Sequence, residues 1–241
     1  MSSTSSETPG SPAWWASHPQ VPMTQRRGRP PVDVGHIVTV ALGLVDEVGV
    51  QTFSLRMLAE ALGSGTATLY RHFASKDELM VHVVDRVLGE VEVSDLEGIA
   101  TWQEVITSVA EALYDTLRRH PHVLPLLVAQ VPVGPNGLAH RERVLRLLLG
   151  HGFPIGLAAR AFTAVGHYVI GFAIQQFGTA SASPDEAPQL LAFYRDLDPA
   201  VYRATVSAAE ELTTVPLDEE FHFGLTLIIS GLERLHDASD A

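Results

Sequence analysis

Apolar residues recur at three- and four-residue steps along most of the chain, the period of helices that bury one face. In "DVGHIVTVALGLVDEVG", Ile37, Val38, Ala41, Leu44, Val45 and Val48 make one stripe, Asp33 can cap its start and Gly49 can end it. This spacing predicts an amphipathic helix of about four turns. Ser54 can then cap "LRMLAEAL", where Leu55, Leu58 and Leu62 share a face and Gly63 stops the run. "TATLYRHF" reads as a third, very short helix. Ser75, with Glu78 three residues on, makes a capping box that opens "KDELMVHVVDRVLGEV".

Two short helices joined by a Gly-containing turn, after a longer one, form a helix-turn-helix pattern, whose second helix enters a DNA major groove. Leu69 and Phe73, four apart, would seat that helix. Thr66, Ala67, Thr68, Tyr70 and His72 are left for base edges and phosphates. A threonine brings a hydroxyl and a methyl group that can meet a thymine methyl, and Tyr and His tips suit phosphate oxygens.

Past about Ser94 a larger helical region begins, with "TWQEVITSVAEALYDTLRRHPHVLPLLVAQ", "PNGLAHRERVLRLLLGHGF", "IGLAARAFTAVGHYVIGFAIQQFG", a loop near "TASASPDEAP", and "LDEEFHFGLTLIISGLERL". The last helix has two apolar stripes, Phe221, Leu225, Ile228, Leu232 and Leu235 on one and Phe223, Leu227 and Ile229 on another, with Gly224 and Gly231 admitting a neighbour. A helix apolar on two sides is buried on two sides. The expectation is a four-helix dimer seam built with "RAFTAVGHYVIGFAI" of each chain, the alternative being a core within one chain. The fold class expected is all-α, with three parts: a floppy tail over 1–25, a DNA-binding unit over 26–93 with a basic arm at 26–32, and an effector and dimerisation domain over 94–241.

Composition narrows the function. The 241 residues are 46% hydrophobic, enough for a large core, and there is no cysteine for disulfides or thiolate metal sites. The first 25 residues are rich in Ser, Thr and Pro, and no uninterrupted apolar run reaches membrane length, so a soluble, cytoplasmic protein is expected. Net charge is −12, yet Arg26, Arg27 and Arg29 cluster just ahead of the first helix. A globally acidic protein meets phosphate through such a local patch. No histidine pair has the four-residue step that brings two imidazoles to one ion, so no metal and no cofactor are expected.

"LGSGTATLYRHFASKDEL" resembles the recognition-helix signature of the tetracycline-repressor (TetR) family, and the likeness runs from about Arg26 to Val91. It implies that Thr66, Ala67 and Thr68 face bases, that Tyr70 and His72 meet the flanking backbone, that Lys76 contacts phosphate, and that Arg56 reaches a guanine, with Ser54 beside it. It also implies that Tyr70→Ala and Lys76→Ala abolish operator binding in a folded dimer. Ser64 and Gly65 depart from the family's usual turn. Arg26, Arg27 and Arg29 resemble a minor-groove arm.

"RRHP", "GPNGL", "GHGF", "AVGHYVIGF" and "FHFGL" resemble the regulatory domain of the tetracycline-repressor subgroup over roughly residues 100 to 237. The resemblance implies a homodimeric repressor on a palindromic double-stranded operator, released when a small-molecule effector enters a helical tunnel. The candidate lining is Trp102, Tyr114, Gln130, His167, Phe172 and Gln175, with Phe172 and Gln175 facing nearly the same side as His167. Gln175 stands where the subgroup's namesake has a glutamate that helps hold magnesium, and a glutamine has no charge for a divalent ion, so a magnesium-tetracycline complex is not expected. Two alternatives stay open: regulation by a protein partner, and an all-helical enzyme, for which no nucleophile elbow or His-Glu metal motif is present.

Overall fold

The computed structural model describes residues 8–18, 33–92, 101–129, 131–177 and 186–239. Those residues form α1 (Pro12–Ser17), α2 (Val34–Thr52), α3 (Leu55–Ala61), α4 (Thr66–Leu69), α5 (Lys76–Leu88), α6 (Trp102–Arg119), α7 (Leu124–Ala129), α8 (Pro135–Gly150), α9 (Ile155–Phe177), α10 (Glu186–Arg195), α11 (Arg203–Ser207), α12 (Glu211–Thr214) and α13 (Leu217–Asp237). No strand occurs among them. The protein is all-α.

The N-terminal unit assembles through the expected caps. The Asp33 carboxylate accepts from the Gly35 amide, and the Ser54 hydroxyl from the Met57 amide at 3.3 Å. Gly63, at φ +58°, ends α3 while the Ser64 amide reaches back to the Ala59 carbonyl. Ser75 accepts from the Glu78 amide, but the Glu78 carboxylate takes the Ala74 amide instead of closing the box on Ser75. Gly49 kinks α2 at φ +77° and does not end it, and the helix runs on to Thr52. The kink makes room: a Cβ at Gly49 would lie 2.9 Å from His122 Nδ1. The short 3-10 turn Pro121–Val123 docks against α2 at this point.

Two polar contacts tie this unit to the larger domain. Asp85 of α5 accepts from the Asn136 and Gly137 amides at 3.1 Å, capping the start of α8 from outside the helix, and the Asn136 side chain also donates to it. Burial pushes its carboxyl up, against the pull of those donors. His120, buried at the end of α6, puts Nδ1 2.8 Å from Asp46 of α2 and Nε2 2.9 Å from Glu90 just past α5.

In the larger domain α6 and α9 pack along their length, and α8, α7 and α13 close around them. The Tyr114 and Phe221 rings stack at 4.3 Å, with Phe172, Phe177 and Tyr168 around them. The Tyr168 hydroxyl donates to the Phe221 carbonyl at 2.8 Å, across Gly224, where any Cβ would collide with it. Gly231 meets no such neighbour among the described residues. Both tyrosine hydroxyls are pushed up by burial and then by nearby charge, Asp218 for Tyr114 and Glu220 for Tyr168.

Two expectations are corrected. The tail is not floppy throughout, because Thr8–His18 folds back with Ser11 capping α1 and Trp14 only 4% exposed. The loop before the last helices is shorter than read: α10 starts at Glu186, and α10 to α12 make a helical excursion the apolar period did not announce. Two helices, Val34–Thr52 and Ile155–Phe177, are long and apolar enough to cross a membrane by length and composition. Both supply the core here, α2 through Ile37, Ala41 and Val45 and α9 through Ala158, Ala161 and Val169.

Candidate nucleic-acid interface and effector domain

Leu69 and Phe73 are 0% and 1% exposed, so α4 is seated as its spacing requires. Seating two positions one turn apart leaves the opposite side of a four-residue helix in solvent. Thr66 and Ala67 are exposed, Tyr70 is 58% exposed, and Thr68 and His72 are half-buried. On α3 the Arg56 side chain is open to solvent and makes an i,i+4 pair with Glu60 at 3.4 Å. Such an exposed pair is weak and yields to a stronger acceptor. Ser54 is occupied as the α3 cap.

Lys76 is more constrained. Its ammonium donates to the Val50 and Phe53 carbonyls, both at 2.7 Å, and lies 5.5 Å from the Phe53 ring centroid. These carbonyls stand at the C-terminal end of α2, where backbone acceptors lack helical partners and the helix dipole favours a cation. Lys76 therefore staples α2 to α5, with one proton left for a phosphate.

Arg71 was not among the residues expected. It is exposed, and its guanidinium donates to the Thr68 hydroxyl at 3.1 Å, orienting one predicted reader. The signal was available in "LYRHF", where it is the one cation of the short helix and its trailing turn. Arg56, Arg71, Lys76 and Arg86 are the only Lys or Arg between Asp33 and Glu92, among nine carboxylates. Attraction to phosphate thus depends on few cations. Arg26, Arg27 and Arg29 lie outside the described residues.

The two unusual turn residues separate in role. The Ser64 hydroxyl is buried with no partner among the described residues, whereas a Cβ at Gly65 would meet nothing within 4 Å. Glycine at 65 leaves α4 without a side-chain cap.

The proposed effector lining does not converge. Tyr114 and Phe172 meet in the aromatic cluster, with their ring centroids 5.8 Å apart. Trp102 sits twelve residues before Tyr114 on the same helix, roughly 18 Å away at the helical rise, packed on Phe153 and His236. His167 and Gln175 are exposed on the outer side of α9, while Phe172 turns inward. Five residues of helix rotate a side chain by roughly 140°, which separates 167 from 172. Gln130 lies outside the described residues. Tyr168, held on Phe221, joins the same aromatic cluster. A recess of about 600 Å³ is an open charged groove between Arg86, Glu90, Asp115 and Arg119 and does not reach the aromatic cluster.

Residues 37–83 match the family described as bacterial regulatory proteins, tetR family, and residues 95–236 match the tetracyclin repressor-like C-terminal domain. The transcriptional repressor DrrR1 of Streptomyces coeruleorubidus is 28% identical over 217 residues, 87% of this chain and 80% of that one. Apo ActR from Streptomyces coelicolor superposes with a TM-score of 0.79 at 32% identity, over 88% of this chain and 100% of that one. ActR in complex with actinorhodin gives a TM-score of 0.78 at 32% identity, over 86% and 99% of the two chains. These relatives are transcriptional regulators, not enzymes. A seated, solvent-facing short helix on a three-helix unit, joined to a helical domain of matching kind, is what their common architecture consists of, and the chain belongs to the TetR family of transcriptional regulators.

Proposed function

We propose that the protein is a repressor that binds a palindromic double-stranded operator as a homodimer and is released by a small apolar or aromatic effector. The observation that carries this reading is the outward face of α4. Thr66, Ala67, Tyr70 and Arg71 are exposed on α4 and the turn that follows it, which Leu69 and Phe73 seat. Arg26, Arg27 and Arg29, ahead of this unit, supply the cations its body lacks. The division of labour near residue 93 is supported by the two family matches, one ending at 83 and the other starting at 95.

Two observations support the dimer. The inner stripe of α13 is buried at Phe221, Leu225 and Leu232, while the outer stripe leaves Phe223 68% and Leu227 59% exposed beside the exposed small residues Ala164 and Gly171 of α9. An exposed apolar stripe at helical spacing is a partner surface. A second copy of the same two helices would cover it as a four-helix seam. Leu227→Lys is therefore expected to give a monomer by sedimentation.

The effector class is argued from the cluster of Tyr114, Phe172, Phe177 and Phe221, and the complex of ActR with actinorhodin supports a bound small molecule. Flat apolar ligands gain most from stacked rings. Release requires only that the effector prefer the non-binding geometry by about 1–3 kcal/mol. The function is exerted in the cytoplasm, with no metal or other cofactor. Thermal shift across a panel of aromatic small molecules, followed by competition against a duplex selected from a random pool, tests the whole reading. A chain that enriches no duplex refutes it.

A further inference from the structure

The segment Thr8–His18 is built, not merely collapsed. Gly10 turns the chain at φ +85°, Ser11 and Pro12 open α1, and the Trp15 and His18 amides close on the Ser11 and Trp14 carbonyls. Trp14 is buried with its ring 5.6 Å from His82 of α5, and Trp15 is 5.2 Å from the same imidazole. The His82 ring in turn lies 5.5 Å from the ring of Phe73, the residue that seats α4. Phe73 immediately follows His72. The indoles thus back, through one side chain, the anchor of the DNA-facing helix.

The same segment reaches the other domain. Trp15 and Gly10 border a slot with Val81, Val84 and Asp85 of α5 and with residues 131–134 ahead of α8. At Gly134 a Cβ would lie 2.8 Å from Trp15 Cζ2 and would also strike the Asp85 carboxylate. Trp15 therefore touches the junction where Asp85 caps α8. The segment is a strap laid across the joint between the two domains, with its other edge behind the helix-turn-helix.

We propose that Trp14 and Trp15 are positioning residues for operator binding: the docked strap holds His82 against Phe73 and α5 against the start of α8, favouring the α4 pose that DNA requires. This rests on the DNA-binding reading above. The two indoles contribute no charge to phosphate, so their effect is on pose and not on counterions. By linkage, whatever the strap does for DNA affinity, DNA does for strap docking.

The test uses the full chain and a duplex that chain has itself enriched from a random pool. Failure to enrich any duplex refutes the DNA-binding reading and is distinct from failure of the strap. With a duplex in hand, the Trp14→Ala/Trp15→Ala variant should bind tenfold or more weakly with an unchanged slope of log affinity against log salt. Trp14→Phe/Trp15→Phe should stay within about threefold of the parent, since a ring still fills the slot. Saturating the parent with duplex should slow hydrogen exchange at the Trp15 and His18 amides at least threefold, a readout on the unmutated protein that holds even if the alanine variant fails to fold. Unchanged affinity in a folded alanine variant, a salt slope reduced by a full unit, or exchange indifferent to the duplex overturns the proposal.

Discussion

Lys76 separates two roles that one side chain can hold, and Lys76→Met makes the separation measurable. Methionine keeps an apolar stem beside Phe53 and deletes the ammonium. The structure places that ammonium on two carbonyls at 2.7 Å. Hydrogen bonds from a charged donor contribute about 1.5–3 kcal/mol each when buried. Lys76 is half-buried and water can replace part of the interaction, so the lower bound applies to the pair and the loss is about 2–3 kcal/mol. The approach to the Phe53 ring adds about 0.5 kcal/mol. At roughly 2–4 °C per kcal/mol for a protein of this size, Tm should fall by about 5–14 °C. Urea unfolding of parent and variant measures the loss directly, and duplex titration at several salt concentrations measures the second role. If the ammonium also meets a phosphate, its deletion lowers the salt slope by about one unit. If it serves only as a staple, affinity falls without that signature. A change in unfolding free energy below about 0.5 kcal/mol, the ordinary range for surface substitutions, would refute the staple.

Other consequences follow from particular side chains. Tyr70→Ala, at a position 58% exposed, should move stability by less than about 0.5 kcal/mol while weakening duplex binding by about tenfold or more, the worth of one hydrogen bond to a charged acceptor; gel shift and urea unfolding on the same preparation check both halves. His120→Ala leaves the Asp46 and Glu90 carboxylates facing a partly buried gap and should cost about 2–4 kcal/mol, with His120→Gln intermediate; equal stability of parent and alanine variant would contradict the clamp. Burial pushes the His140 imidazole below its ordinary 6.5, with Arg143 adding to the effect, and burial lowers His82 as well. The unfolded chain then binds more protons than the folded one in the window below 6.5, so stability declines as pH falls from 6.5 through the lowered values. His140→Leu should flatten part of that decline in unfolding midpoints measured from about pH 7.5 to about 5, the range in which an imidazole titrates.

Much of the helix-turn-helix was legible because it is local. Asp33, Ser54, Gly63 and Ser75 act within a few residues of themselves, and Leu69 and Phe73 needed only the helical period to be recognised as anchors. The effector domain was legible as helices but not as a site. His167, Phe172 and Gln175 are near in sequence, yet their rotation about α9 sends them to different sides, and Trp102 shares a helix with Tyr114 but not a neighbourhood. The strap was misread for a different reason. Ser11 followed by Pro12 is a helix start, and two adjacent tryptophans are costly to leave in water, but the Ser- and Pro-rich composition around them suggested disorder.

By itself the sequence determined the helical class, the caps, the short helix with its two anchors, the acidic body with a basic lead-in, and the family. Each depends on residues within one or two turns of one another, or on composition. Only the tertiary structure decided that Lys76 serves α2, that His120 joins Asp46 to Glu90, that Asp85 caps a helix 51 residues away, and that Trp14 is buried behind Phe73. Those interactions join segments whose separation along the chain leaves no periodic trace, since a side chain's partner across a domain joint is set by how whole helices pack and not by its neighbours in sequence.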